Sequence, residues 1–170
     1  MGEPAMQKPK FRATYVLVKG GHAFEALSLA RRMETYSTSS FIVFKGDTLT
    51  PKKVPSNSEC VQVEHTFQEV RRTNWLKLVL QSWKFFPSLW NSCKAVQKLK
   101  TDVLISTGSG PALVPMMAAK LMGRKVIFVE SACRIHTASM CGWVAYKMLA
   151  DQFYVQWEDT KKVYPKAIFA

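Results

Sequence analysis

The chain has 170 residues, 48% of them hydrophobic, and a formal net charge of +12. That length suits one domain with a core of its own, and the composition excludes a disordered chain. The charge favours an anionic partner, for which nucleic acid, a membrane surface and a phosphate-bearing substrate all qualify.

Residues 1–12 are polar and basic with two prolines, a flexible N-terminus that is neither signal peptide nor transmembrane helix. Residues 13–170 are expected to form a single domain. No uninterrupted apolar run approaches the ~20 residues needed to span a bilayer. The chain is therefore not expected to cross a membrane by itself. Cys60, Cys93, Cys133 and Cys141 form no C-x-x-C pair and no metal-ligand spacing with a histidine. Reduced, buried thiols are the expectation, and no metal site.

Ala13 to Val18 reads as the first strand, ended by Gly20-Gly21. His22 to Met33 follows as a helix with Phe24, Leu27, Ala30 and Met33 on or near one face. Ser40 to Phe44 is a second strand. Asp47 to Ser58 is a polar loop holding Pro51 and Pro55, and Cys60 to Val63 a third short strand. Val63 to Asn74 has no clear periodicity. Its Arg71-Arg72 pair suits either a phosphate or plain solvation.

Trp75 to Leu99 carries three of the five tryptophans, Trp75, Trp83 and Trp90, with Phe85 and Phe86 between them. Taken as helix, Lys77, Gln81, Lys84, Ser88 and Asn91 make one narrow polar stripe on an otherwise apolar surface. Pro87 kinks that helix or starts a second one. Two readings stand side by side: a crossover helix buried on both sides, or an interfacial segment lying at a lipid headgroup layer.

Thr101 to Arg134 holds the organising unit. Val103 to Ile105 is a buried strand, Gly108-Ser109-Gly110 a turn, and Pro111 suits the first position of a helix. Leu113, Met116, Met117 and Leu121 recur at helical spacing, Gly123 ends the helix, and Val126 to Val129 is a second buried strand. This βαβ unit repeats the strand, glycine turn and helix of residues 13–33. Both turns should open at the carboxyl edge of one parallel sheet, with backbone N–H groups facing any anion there. Tight turns that serve only chain reversal are the alternative. Beyond the unit, Ser131 to Gly142 is a loop, Trp143 to Ala150 a short helix, Gln152 to Gln156 a strand and Glu158 to Val163 a final helical turn. Glu130 and Arg134, near the Gly-Ser-Gly turn, either bind a hydroxylated or phosphorylated ligand or pair with each other.

Several motifs then combine in order. They are V-E-S-A-C-R at Val129–Arg134, S-M-C-G at Ser139–Gly142, D-Q-F-Y-V-Q-W at Asp151–Trp157, and Tyr164-Pro165. Gly20, Gly21, His22 and Glu25 give G-G-H-x-x-E, and Gly108, Gly110 and Pro115 give G-x-G-x-x-x-x-P. Together these resemble the membrane-associated subunit of the two-part UDP-N-acetylglucosamine transferase, which adds the second sugar to the lipid-linked oligosaccharide of N-glycosylation, and its bacterial polysaccharide-biosynthesis relatives. The stretch G-G-H-A-F-E-A-L-S-L-A is also similar to the first glycine loop of the bacterial enzyme that glycosylates the peptidoglycan lipid intermediate.

The resemblance implies an α/β fold, a Rossmann-like three-layer parallel sheet forming the N-terminal, acceptor half of a GT-B glycosyltransferase. It implies a chain inactive without a catalytic nucleotide-sugar-binding subunit. The lipid-diphosphate-linked acceptor would meet Lys19, Gly20, Gly21, Gly108, Ser109, Gly110, Glu130 and Arg134. His22 is the candidate to position or deprotonate the acceptor hydroxyl, with Glu25 a second catalytic candidate. Trp75, Trp83, Phe86 and Trp90 would contact the membrane, peripherally and on its cytosolic face: endoplasmic reticulum in a eukaryote, plasma membrane in a prokaryote. No cofactor, metal or nucleic acid is implied. A pure membrane scaffold for the catalytic subunit, touching no substrate, is the alternative function.

The sequence departs from the family in three places. Its usual G-S-G-G-H is Val18-Lys19-Gly20-Gly21-His22 here, which exchanges a flexible position for a cation. The family's N-terminal anchor is absent, so attachment is expected to fall to the segment from Trp75 to Trp90 or to a partner. The chain also stops at Ala170, before the tail that helps dock the catalytic subunit.

Overall fold

A computed structural model describes residues 11–64 and 85–170 of the chain. Residues 1–10, the Arg71-Arg72 pair, Trp75, Trp83 and the stripe positions Lys77, Gln81 and Lys84 lie outside the described residues. The strands are β1 (Phe11–Val16), β2 (Ser37–Phe44), β3 (Glu59–Val63), β4 (Val103–Ser106), β5 (Lys125–Val129), β6 (Gln152–Val155) and β7 (Ile168–Phe169). All pair in parallel, in the order β3-β2-β1-β4-β5-β6-β7. The order reverses between β1 and β4, which makes their shared carboxyl end the switch point of a Rossmann-like sheet.

The helices are α1 (Gly21–Arg32), α2 (Phe85–Lys98), α3 (Leu113–Leu121) and α4 (Met140–Val144). Side chains alternate across each strand, so the sheet has two cores. Ala13, Tyr15, Leu17, Phe41 and Val43 pack with Ala23, Ala26, Leu27 and Ala30 of α1. Val16, Ile42, Leu104, Val126 and Phe128 pack on the other face with α2, α3 and α4. That is the expected three-layer arrangement.

Details differ from the sequence reading. α1 buries Leu27 and Ala30 as expected, with Ala23 and Ala26, but leaves Phe24 71% exposed; three of its four buried side chains are alanines, which let the helix lie close on β1. Within α2 the expected polar stripe turns inward at Ser88, which is buried together with Ser92, Ala95 and Val96. The Ser88 hydroxyl donates to the Glu64 carbonyl at 3.3 Å. α2 packs closely against α3, where small residues permit the approach and bulky aromatics are pushed outward. Phe86 and Trp90 are accordingly 73% and 64% exposed, so burial on both sides does not hold for these two. β7 was not anticipated, since two residues give no periodicity to read. The four cysteines are free thiols, but only Cys141 is buried as expected: Cys93 is half-buried, and Cys60 and Cys133 are exposed.

Candidate functional site

Gly20 and Gly108 follow directly on neighbouring parallel strands and place two glycine turns side by side at one sheet edge. α1 begins after Gly20, whose φ is 95°, and no side chain caps its first turn. The 3-10 turn Gly110–Ala112 begins after Ser109, also with no side-chain cap and no acidic residue. Helix starts of this kind leave N–H groups for an external acceptor, and the helix dipole favours an anion there. Ser109 has φ 73°, a conformation costly for a residue with a side chain, and strain of this kind concentrates at binding sites. Its carbonyl accepts from the Cys141 thiol at 3.1 Å. Burial, with the Glu130 carboxylate nearby, pushes that thiol up to about 12.

His22 joins the two turns. Its Nδ1 lies 2.9 Å from the Thr107 carbonyl oxygen, which can only accept, so Nδ1 carries a proton. In the neutral ring Nε2 is then the basic nitrogen, and it has no hydrogen-bond partner among the described residues. The Thr107 hydroxyl returns the tie by donating to the His22 carbonyl at 2.8 Å. The ring sits where a side chain on residue 108 would stand: a Cβ there would lie 2.9 Å from Cε1 and 3.0 Å from Nδ1. Gly108 is thus required by the histidine as well as by its own φ of 123°.

Glu25 lies one turn along α1. Its Oε1 accepts from the Ser131 hydroxyl at 3.2 Å and the Ala132 N–H at 3.1 Å, tying α1 to the chain leaving β5. Its Oε2 is buried without a hydrogen-bond partner among the described residues, and His22 Nδ1 is 3.9 Å away.

The other expected residues divide by orientation. Lys19, Gly20, Gly21 and Gly110 are exposed at this edge. Lys19 also faces Asp47. Burial pulls the Asp47 carboxyl up, but hydrogen bonds from Thr50 and Leu49 and the Lys19 charge hold it below the usual carboxylate range. Arg134 is exposed, and its guanidinium donates to Thr137 Oγ1 at 3.3 Å; among the described residues it does not pair with Glu130, so that alternative is not formed. Glu130 turns away from the cleft: it is 2% exposed, and its carboxylate accepts from Ser139 and Tyr164 inside the fold. A strand-end position could not reveal that inward turn. Thr107, Ser139, Gly142 and Tyr164 carried no assigned role in the sequence reading. The last three stood inside its quoted motifs, which was the only signal available.

Among the described residues no helix is long and apolar enough to cross a membrane, and no group of three His, Cys, Asp or Glu side chains could hold a metal ion.

Among solved structures, the MurG protein of Acinetobacter baumannii matches with a TM-score of 0.70 at 20% identity, over 89% of this chain and 42% of that one. The match shows the Rossmann-like fold of one GT-B half, and the chain spans about two fifths of that protein. A Protochlamydia amoebophila protein named as the N-acetylglucosamine transferase acting on pyrophosphoryl-undecaprenol is 28% identical over 66% of this chain and 30% of its own length. Mouse and human proteins, each named UDP-N-acetylglucosamine transferase subunit ALG14, are 30% identical over 95% and 88% of this chain, and 82% and 77% of their own lengths. The family described as "Oligosaccharide biosynthesis protein Alg14 like" matches residues 13–170, and the chain belongs to it.

Proposed function

We propose that this chain, by family a glycosyltransferase subunit, binds a lipid-diphosphate-linked sugar acceptor and recruits a catalytic nucleotide-sugar-binding subunit at the cytosolic face of a membrane. The observation that carries the reading is the pair of uncapped helix starts at the β1/β4 switch point, bridged by His22. Backbone N–H groups at both starts suit the oxygens of a diphosphate, and Lys19 and Arg134 would add charge. His22 Nε2 would receive the proton of the attacking acceptor hydroxyl, with the Thr107 carbonyl fixing the tautomer. That the curated relatives are named as a transferase subunit supports a nucleotide-sugar donor held by the partner.

Purified alone, the chain should transfer no sugar from UDP-N-acetylglucosamine or any other nucleotide sugar. Transfer should begin when the co-purified catalytic subunit is added, with chromatographic detection of the elongated lipid. Robust transfer by the chain alone would sink the split-enzyme reading. A complex that forms and transfers sugar, yet whose acceptor affinity ignores changes at both glycine turns, would leave a scaffold.

Attachment to the membrane is proposed through α2 and the aromatic residues preceding it. Phe86, Trp90 and Lys94 stand four residues apart on one exposed stripe, and the Lys94 ammonium lies 5.4 Å from the centre of the Trp90 ring. Aromatics beside lysine suit the headgroup layer of an anionic bilayer. Replacing Phe86 and Trp90 with serine should weaken liposome binding on the order of tenfold or more. Both side chains are exposed, so circular dichroism should be unchanged. Unchanged sedimentation with anionic liposomes would remove α2 from the contact.

A further inference from the structure

We infer that Glu130 is a positioning residue: its buried carboxylate clamps the loop of residues 131–139 shut at both ends and so fixes the base from which Arg134 projects. The functional half of this inference rests on the acceptor-binding reading, and the clamp itself rests on geometry.

Glu130 stands at the end of β5 with its main chain already fixed. Its N–H donates to the Tyr154 carbonyl at 2.9 Å, and its carbonyl accepts from Gln156 Nε2 at 3.0 Å. From that fixed base the side chain reaches across the loop. Oε1 accepts from the Ser131 N–H at 3.2 Å, at the loop's start, and the Ser139 hydroxyl lies 3.1 Å from both oxygens, at its end. Oε2 accepts from the Tyr164 hydroxyl at 2.8 Å. Ser139 Oγ in turn accepts the Gly142 N–H at 2.8 Å and caps α4. One carboxylate therefore joins the two ends of the loop, the start of α4 and the C-terminal segment.

The rest of the loop is gripped by its main chain. Trp157 Nε1 donates to the Ala132 carbonyl at 2.6 Å, and the Thr160 hydroxyl lies 3.0 and 2.9 Å from the carbonyls of Arg134 and Ile135. Glu25 holds Ser131 and Ala132 from the opposite side. Main-chain anchoring on this scale leaves the Arg134 side chain projecting from a fixed base, which is how a loop becomes a precise binding element.

Two observations set Glu130 apart from an ordinary core residue. It is the only acidic or basic side chain in the buried class among the described residues, and no cation pairs with it there. Taking a carboxylate out of water carries a desolvation cost that an apolar side chain would avoid, so only directed hydrogen bonds justify it. The space is also cut to the carboxylate. A Cβ on Gly142 would lie 2.1 Å from Glu130 Oε2 and 2.7 Å from both Ser139 Oγ and the Tyr164 hydroxyl.

Trypsin offers a direct reading, because Arg134 is the only Arg or Lys between Lys125 and Lys147. The full chain would be digested under native conditions and the new terminus at Ile135 followed by mass spectrometry. Pyrophosphate serves as the probe for the anion site. Glu130→Gln and Tyr164→Phe should each speed cleavage after Arg134 about tenfold, the loss expected from one hydrogen bond to a charged group. Cleavage after Lys147, read in the same digest, should keep its rate, which excludes general unfolding. Pyrophosphate should protect Arg134 in the unaltered chain, with at least several-fold more needed in either variant. If Glu130→Gln does not fold, Ser139→Ala joins Tyr164→Phe in the test, since each removes a single donor. Unaltered cleavage in the folded variants, or acceleration shared equally by Lys147, overturns the clamp. Faster cleavage at Arg134 with no pyrophosphate protection even in the unaltered chain upholds the clamp and refutes the acceptor reading.

Discussion

Replacing His22 with alanine should lower the turnover of the reconstituted two-subunit enzyme by ~10²–10⁴-fold, the range expected when a general base is removed. Acceptor affinity should fall far less, because the diphosphate would be held by backbone groups that alanine leaves in place. The fold should survive. The Thr107 hydroxyl donates to the His22 carbonyl, a main-chain tie that does not depend on the imidazole. What disappears is the ring whose Nδ1 is committed to the Thr107 carbonyl and whose Nε2 is the basic nitrogen. Acceptor titrations giving kcat and KM separately, with circular dichroism as the check on folding, measure this. A loss below about tenfold in kcat would demote His22 to an anchor between the two turns.

That anchor role was only half legible in the sequence. The two βα units could be read because their chemistry is local: β-branched runs, glycine breaks, helical spacing and Gly123 closing α3. Their placement at neighbouring strand ends followed from the rules of parallel sheets. The His22–Thr107 contact joins residues 85 apart in the chain, and no spacing rule reaches that far. The sequence offers Gly108 as a glycine whose backbone faces an anion; that a Cβ there would also meet the His22 ring is visible only in the fold.

The misreadings share one cause. Phe24 was expected inside and Ser88 outside, because hydrophobicity was used as a guide to burial. In both helices closeness to the neighbouring layer decides, and small side chains take most of the inner face: Ala23, Ala26 and Ala30 beside Leu27 in α1, Ser88, Ser92 and Ala95 beside Val96 in α2. Glu130 is the same lesson in a polar residue. A carboxylate at a strand end reads as a ligand-binding group, and only the hydroxyls of Ser139 and Tyr164 explain why it can turn inward. Those partners come from 9 and 34 residues further along the chain.

Gly108→Ala should be nearly as damaging to turnover as the loss of His22, about a hundredfold, although residue 108 would contribute no chemistry of its own. Two forces act together. Alanine at φ 123° is strained whatever space surrounds it, at a cost of order 1–3 kcal/mol, and its Cβ would stand 2.9 Å from Cε1 of the His22 ring. The backbone is held on one side by β4 and on the other by the Ser109–Cys141 contact, so the imidazole is the part that must move. A displaced ring loses the Thr107 carbonyl and, with it, the tautomer that leaves Nε2 basic. Gly110→Ala is the control, because nothing lies within 4 Å of a Cβ there and its φ is not in the left-handed region. That variant should keep kcat, and any change should be confined to acceptor KM. The decisive measurement is a double-mutant cycle between Gly108→Ala and His22→Ala on kcat. If Gly108 acts through the ring, the second substitution adds almost nothing once the first is made. Losses that multiply would mean that the glycine meets the substrate directly and that His22 works independently of it.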